Sequence, residues 1–186
     1  MHNPYIVGKK IYFRHPIKED LNGKWHEWFS DEETTKYLES RFWPNSIESQ
    51  KIFYDSLHND RNKLVLSIVL KSNDKHIGVI SLASINWVHR YADLGIVIGE
   101  KNYNKSIYAV ESFALMLRIA FLKLNLDNVR AAFCDANKHS EALMKLFRFK
   151  VIGKYKELIV VDGKKEDLIC TYIDKISWLE KNGLSN

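Results

Sequence analysis

The chain has 186 residues, of which 46% are hydrophobic and 27% charged, a balance that excludes a disordered chain and fits one domain, residues 1–186. The net charge is +5, but the lysines form no basic stripe with interleaved aromatics, which argues against nucleic-acid binding and weakly favours an anionic ligand such as a nucleotide cofactor. We expect a cytoplasmic protein with no membrane partner, because no stretch approaches roughly 18 apolar residues and no signal-peptide pattern is present.

The first predicted elements are one strand and two helices. Residues 11–15 alternate apolar and polar side chains, as a half-buried strand does. Residues 18–29 carry tryptophan, leucine and phenylalanine at helical spacing, which predicts one continuous helix. A loop of exposed aromatics follows, and then Asn45 and Glu48 form a capping pattern that predicts a helix over 47–57.

The rest of the chain predicts six more strands and two more helices. The strands are 64–70, 76–85, 91–98, 129–134, 151–160 and 166–173. The helices are 105–124, which carries an apolar stripe, and 137–147, which Asn137 caps. Asp162 and Gly163 are typical of a hairpin turn between the last two strands. This order predicts a mixed sheet with helices on both faces.

The centre of the chain gives the clearest functional signal. The fourth predicted strand ends at Gly99-Glu100, a short polar loop follows, and the longest helix then begins. A helix N-terminus presents unpaired N–H groups and a positive dipole end, which suit a phosphate or pyrophosphate. Ligands also favour the crevice that opens where a parallel strand pair splits. We therefore expect an anion-binding site after this strand.

Four short stretches follow one another in a distinctive order. They are Ile85-Asn86-Trp87-Val88-His89-Arg90-Tyr91-Ala92-Asp93; Ala120-Phe121 with Leu124-Asn125-Leu126-Asp127-Asn128-Val129; Asn137-x-x-Ser140-x-x-Leu143 ending at Phe149; and Asp162-Gly163-Lys164. In this order and spacing they resemble the GNAT superfamily of acetyl-CoA-dependent N-acetyltransferases. The most similar branch holds the ribosomal-protein N-terminal acetyltransferases and the spermidine acetyltransferases, and the resemblance covers roughly residues 9–175.

The resemblance implies a fold and an activity. The fold is a single GNAT domain of the α/β (α+β) class: a mixed, mostly antiparallel seven-stranded sheet, flanked by helices and split between strands 4 and 5. The activity is transfer of an acetyl group from the co-substrate acetyl-CoA to a primary amine, by direct attack in a ternary complex. The acceptor is a small-molecule amine, an amino sugar or a protein N-terminus, and the fold also allows a homodimer.

The resemblance also implies roles for individual residues. Backbone groups near the end of the fourth strand hold the cofactor's pantetheine arm, the loop cradles the pyrophosphate, and the next helix adds a contact. The cofactor-binding residues are then Val97, Ile98, Asn104, Lys105, Ser106, Ile107, Tyr108, Ala109 and Asn137. Asp93 is the candidate general base, with His89 as a proton relay. Trp43, Trp87 and Arg90 are candidate acceptor-binding residues, and no metal-ligand cluster is present.

Other interpretations of the same residues stay open. Asp93 also suits a sheet-edge or salt-bridged carboxylate, and the tryptophans also suit local packing. His89 and Arg90 also suit a solvated loop with a structural ion pair. Cys134 and Cys170 have no zinc spacing and are expected to be reduced thiols in strands.

The loop and the later helix depart from the family pattern. Lys105 replaces the usual glycine, although it supplies a cation. Met144 stands where a tyrosine acid is frequent, and a thioether donates no proton. Arg148 replaces a usual glycine. These departures support the alternative that the chain is a degenerate, non-catalytic GNAT-fold domain that binds a CoA-like ligand or a protein partner.

Overall fold

The computed structural model describes residues 1–103 and 106–184. Its strands are β1 (Ile6–Val7), β2 (Ile11–Arg14), β3 (Leu64–Leu70), β4 (His76–Asn86), β5 (Tyr91–Ile98), β6 (Asn128–Cys134), β7 (Lys150–Val161) and β8 (Lys164–Asp174). Their order in the sheet is β1-β2-β3-β4-β5-β6-β8-β7. The sheet has eight strands instead of the predicted seven, because two-residue β1 is too short to show alternation.

The α-helices are α1 (Lys18–Leu21), α2 (Trp25–Trp28), α3 (Ile47–Ser56), α4 (Ser106–Arg118), α5 (Lys138–Phe147) and α6 (Lys175–Lys181). Short 3-10 helices cover Glu39–Phe42 and Lys101–Tyr103, and a π-helix over Ile119–Lys123 extends α4. The chain divides into two compact units, Met1–Ala83 with Gly95–Met116, and Ser84–Leu94 with Leu117–Asn186. Among the described residues, no helix has the length and apolar character of a membrane span.

The first unit is organised around antiparallel strands and two tryptophans. β2 pairs with β3, and β3 pairs with β4, in antiparallel registers. Residues 11–13 of β2 are fully buried. Trp25 and Trp28 pack in a core cluster with Tyr54 and Leu57, so the α1–α3 region covers the sheet through its aromatic side chains.

Two predicted details of this unit are wrong. The helix expected over 18–29 is broken into α1 and α2, because the chain turns at Asn22, the C-cap of α1, and at Gly23. The cap of α3 is Ser46, whose Oγ accepts the Ser49 N–H at 3.1 Å. Asn45 does not cap the helix, because its side-chain amide donates instead to the Gln50 side chain at 2.9 Å.

The second unit contains a parallel strand pair and a long hairpin. Residues 91–93 of β5 run parallel to residues 128–130 of β6. β6, β8 and β7 then follow in antiparallel order. The predicted turn is confirmed, because Asp162 and Gly163 both have positive φ, 50° and 79°. The rings of Phe121 and Trp178 meet at 5.4 Å in the core beneath this sheet.

Both cysteines lie on strands, as predicted. Cys134 on β6 is buried, Cys170 on β8 is half-buried, and both are free thiols.

Candidate functional site

In the first unit, the backbone at the end of β5 packs directly against the backbone at the start of β4. A Cβ atom on Gly78 would come within 2.2 Å of the Val97 carbonyl oxygen, so only glycine allows this approach. The carbonyl of Ile77 accepts the N–H groups of both Gly99 and Glu100, at 3.0 and 3.2 Å. These contacts end the strand and fix the direction in which the chain leaves it.

Helix α4 begins shortly after this strand end, as the sequence predicted. Ser106 and Ile107 at its N-terminus are exposed, and the neighbouring Tyr108 and Ala109 are half-buried. The rings of Tyr103 and Tyr108 meet at 5.9 Å and connect the loop to the helix. An exposed N-terminus of a 13-residue helix can accept an anion. The other two loop residues predicted to bind cofactor, Asn104 and Lys105, lie outside the described residues.

Charged side chains around the strand end are paired. The ammonium of Lys75 lies 2.5 Å from the carboxylate of the buried Glu100. Lys101 contacts Asp31 at 2.9 Å and Glu33 at 3.3 Å. The hydrogen bond from Lys101, with backbone support from Thr34, lowers the pKa of Asp31 to about 2. Asp31 is therefore ionised near neutral pH.

In the second unit, the parallel register places Asp93 opposite Arg130. The guanidinium donates from Nε to one carboxylate oxygen at 2.8 Å and from NH2 to the other at 3.0 Å. It also lies over the Tyr91 ring at 4.0 Å. The hydrogen bond to Asp93 raises the pKa of Arg130 above its usual value.

A pocket of about 460 Å³ opens beside this pair. Asp93 and Arg130 line one part, and residues of β7 and β8, including Tyr155 and Cys170, line another. The Asp93 side chain keeps 43% of its surface exposed. Asp93 is therefore salt-bridged, as one interpretation of the sequence held, and it also borders an open pocket. A proton acceptor needs such access.

The turn between β4 and β5 holds three more of the predicted residues. The side chain of Asn86 accepts the N–H of His89 at 2.8 Å, while the His89 side chain is exposed. Arg90 has φ of 53°, donates to the Asn125 carbonyl at 2.9 Å and pairs with Asp127 at 2.9 Å. These contacts tie the turn to the start of β6, so Arg90 forms a structural ion pair, the alternative that the sequence left open.

The predicted aromatic residues are exposed. Trp87 keeps 46% of its surface accessible and Trp43 keeps 65%. Trp43 lies in the first unit, where its ring meets that of Phe42 edge-to-face at 6.5 Å. Exposed aromatic rings of this kind are available to a ligand or a partner, which keeps the acceptor-binding prediction for both tryptophans.

The residues that depart from the family pattern have clear local environments. Met144 is buried, with 5% of its surface accessible, and so packs in the core of the second unit. Arg148 ends α5 in the left-handed conformation, with φ of 61°. Glycine adopts this conformation without steric cost, which explains why a glycine is usual there.

Asn137 caps α5, because its side-chain oxygen accepts the Ser140 N–H at 3.1 Å. We expect Asn137→Ala to lower the free energy of unfolding by about 1 kcal/mol, since the first turn loses its acceptor. Urea denaturation measures this effect, and Ser46→Ala at the cap of α3 is the matched comparison. If only Asn137→Ala also weakens acetyl-CoA binding, the side chain has the second role that the family resemblance implies.

Sequence reasoning missed Arg130 and the contacts around Gly99. Arg130 is identified only by strand register, because it lies 37 residues from Asp93 in the chain. The sequence did contain a signal for Arg130. Parallel pairing of the fourth and fifth predicted strands brings the residues near their starts together, and Asp93 and Arg130 are two of these residues.

Comparison with known proteins assigns the family. A family model described as an acetyltransferase (GNAT) domain matches residues 10–150. No curated protein matches the chain.

Solved structures share the fold over nearly the whole chain. Spermidine N-acetyltransferase from Vibrio cholerae, in complex with CoA and spermine, has a TM-score of 0.82 and 21% identity, covering 92% of this chain and 99% of its own. Mutant forms of the spermidine/spermine N-acetyltransferase SpeG from the same organism have a TM-score of 0.81 and 19% identity, covering 94% of this chain and 99% of their own. A probable acetyltransferase has a TM-score of 0.80 and 22% identity, covering 94% of this chain and 98% of its own. The chain belongs to the GNAT acetyltransferase family and is an acetyl-CoA-dependent N-acetyltransferase.

Proposed function

We propose that the acceptor of this N-acetyltransferase is a small primary amine and that Asp93 receives its proton. The observation that carries the proposal is the Asp93 carboxylate, held by Arg130 beside an open pocket of about 460 Å³. The Arg130 contacts orient this carboxylate, and its exposed part lies within reach of a proton from the pocket, directly or through one water molecule.

In the proposed reaction, the amine nitrogen attacks the thioester carbonyl carbon of acetyl-CoA. A C–N bond forms, the C–S bond breaks, and the sulfur leaves with the electron pair as a thiolate. The proton lost by the amine passes to Asp93, and the thiolate takes a proton from water. The buried Met144 cannot donate this proton, but a thiolate is stable enough to leave without an acid.

For acetyl-CoA, we propose that the backbone at Val97 and Ile98 holds the pantetheine arm. The exposed N-terminus of α4, with Ser106, Ile107 and the adjoining Tyr108 and Ala109, receives the pyrophosphate. Asn104, Lys105 and Asn137 keep the roles that the family resemblance implies. His89 keeps its proposed role as a relay, because its side chain is exposed in the turn before β5.

Polyamines are the first acceptors to test. Two of the similar structures are spermidine acetyltransferases, and Glu32, Glu33 and Glu39 form an exposed acidic group that attracts a cationic amine. Trp43 in the first unit and Trp87 in the second are each proposed as acceptor-binding residues, and each has an exposed ring. A protein N-terminus as acceptor, a homodimer, and a single cooperative domain over residues 1–186 are further proposals.

The experiment that tests the function is calorimetric titration with acetyl-CoA, followed by an assay of free thiol release. Spermidine, an amino sugar and a short peptide with a free N-terminus serve as acceptors, and mass spectrometry identifies the acetylated product. We expect micromolar binding and amine-dependent thiol release with spermidine. Binding without transfer to any amine, or no binding at millimolar cofactor, would favour the non-catalytic alternative.

A single unfolding transition, seen by two probes, supports one domain.

A further inference from the structure

In the first unit, Trp28 occupies the space where the side chain of residue 99 would lie. A Cβ atom built on Gly99 would come within 2.0 Å of two indole ring atoms of Trp28. Trp28 is 4% exposed, so its ring is packed among its neighbours. The indole ring therefore determines where the backbone can pass as it leaves β5.

The position of the indole is itself fixed by a buried polar network. The rings of His76 and Trp28 meet edge-to-face at 4.9 Å. His76 is held at both ring nitrogens, by the Asp20 carboxylate at 3.2 Å and by the Gly78 carbonyl at 2.9 Å. Asp20 is in turn held by Arg14 through two contacts of 2.7 Å. Rotation of the indole away from Gly99 would have to break its packing against the His76 ring, which this network holds in place.

The residue directly after Gly99 is held by Lys75. Its ammonium lies 2.5 Å from the Glu100 carboxylate, and only 8% of the Glu100 side chain is exposed. The Lys75 ammonium also lies 5.2 Å from the centre of the Tyr103 ring, in the segment that leads to α4. Lys75 thus neutralises a buried carboxylate directly before the loop where the pyrophosphate is proposed to bind.

We propose that Trp28 and Lys75 are positioning residues for acetyl-CoA. Trp28 sets the path of the backbone after β5, and Lys75 removes a negative charge that would otherwise repel the pyrophosphate. The inference rests on the proposed binding of pyrophosphate at the N-terminus of α4. Neither residue contacts the reacting atoms in this proposal, so their loss should raise the KM for acetyl-CoA while kcat stays nearly unchanged.

Lys75 gives the first test, because its side chain is 40% exposed, so its replacement opens no cavity in the core. We expect Lys75→Met to raise the KM for acetyl-CoA about 10-fold, as the loss of one charge interaction does. Lys75→Arg should restore the wild-type KM. Lys51→Met is the matched control, because Lys51 forms an exposed pair with Asp55 and should leave the KM unchanged.

Gly99 gives the second test. We expect Gly99→Ala to raise the KM for acetyl-CoA by about 10-fold or more, since the new methyl group must displace the indole or the backbone. Adding Trp28→Leu to this variant should recover part of the loss. Gly23→Ala is the matched control, because its Cβ would meet no atom closer than 3.4 Å. Calorimetry with CoA provides a readout that does not depend on turnover.

The outcomes separate this inference from the proposed function. Wild-type protein that neither binds acetyl-CoA nor acetylates an amine would overturn the proposed function. Active wild-type protein whose Lys75→Met and Gly99→Ala variants keep the KM of their controls would overturn the inference alone. If Gly99→Ala does not fold, the comparison of Lys75→Met, Lys75→Arg and Lys51→Met tests the inference. A fall in kcat at constant KM in Lys75→Met would contradict a positioning role.

Discussion

Replacing Asp93 by Asn is expected to lower kcat by about 100- to 10,000-fold, the range typical of a lost general base. Acetyl-CoA binding should change little, because the amide keeps the shape of the carboxylate and only the proton acceptor is lost. The measurement is initial-rate kinetics with the best amine acceptor, together with calorimetric titration of acetyl-CoA. Asp93→Glu should retain more activity than Asp93→Asn, since it keeps a base on the same strand.

The contact with Arg130 provides a way to separate catalysis from structure. Arg130→Gln removes both hydrogen bonds to Asp93 but leaves the carboxylate in place. If Asp93 is the base, Arg130→Gln should retain much more turnover than Asp93→Asn. Asp55→Asn is the control, because it breaks the exposed pair with Lys51 and should leave kcat unchanged. Equal losses of turnover in the Asp93 and Arg130 variants would reduce Asp93 to a partner in a structural ion pair.

The largest expected loss of stability comes from breaking the buried pair of Arg14 and Asp20. Both side chains are nearly inaccessible, with 6% and 4% of their surfaces exposed, and they meet at 2.7 Å. Arg14→Leu should lower the free energy of unfolding by about 3–5 kcal/mol, because the Asp20 carboxylate would remain buried without its cation. Urea denaturation measures the change.

Two comparisons test the cause of this loss. Lys51→Ala breaks an exposed pair and should cost less than about 1 kcal/mol. Arg14→Leu combined with Asp20→Leu should cost less than Arg14→Leu alone, since no buried charge is left unpaired. Asp20 also contacts His76 and accepts a hydrogen bond from the Ser67 hydroxyl. A double variant less stable than the single variant would show that these two contacts contribute more to stability than removal of the unpaired charge does.

The same pair predicts a dependence of stability on pH. Burial alone would raise the pKa of Asp20, but hydrogen bonds from Arg14 and His76 outweigh burial and hold it well below its usual 3.8. Because the folded pKa is depressed, the stabilisation is fully present above the usual pKa and is lost as the pH falls towards the folded one. Acid denaturation monitored by circular dichroism should therefore steepen below pH 3.8, and Asp20→Asn should flatten that limb.

Much of the fold was accessible from periodicity and turn residues. Strands β3 and β5 have the bounds that alternating and continuous apolar residues predicted, and Asn137 caps α5 as expected. Local signals of this kind depend on a few neighbouring residues, so one sequence is enough to read them. The predictions failed where two local signals competed, as at Gly23 within a helical pattern and at Asn45 beside a second capping residue, Ser46.

By itself, the sequence determined the class of fold, the family resemblance, acetyl-CoA as co-substrate and Asp93 as the carboxylate to test. These follow from short motifs in order along the chain. Only the tertiary structure decided that Asp93 is held by Arg130, that Arg90 braces a turn and that Trp28 fills the space beside Gly99. Each of these contacts joins residues far apart in the chain, and strand register and side-chain packing, which no local pattern encodes, bring them together.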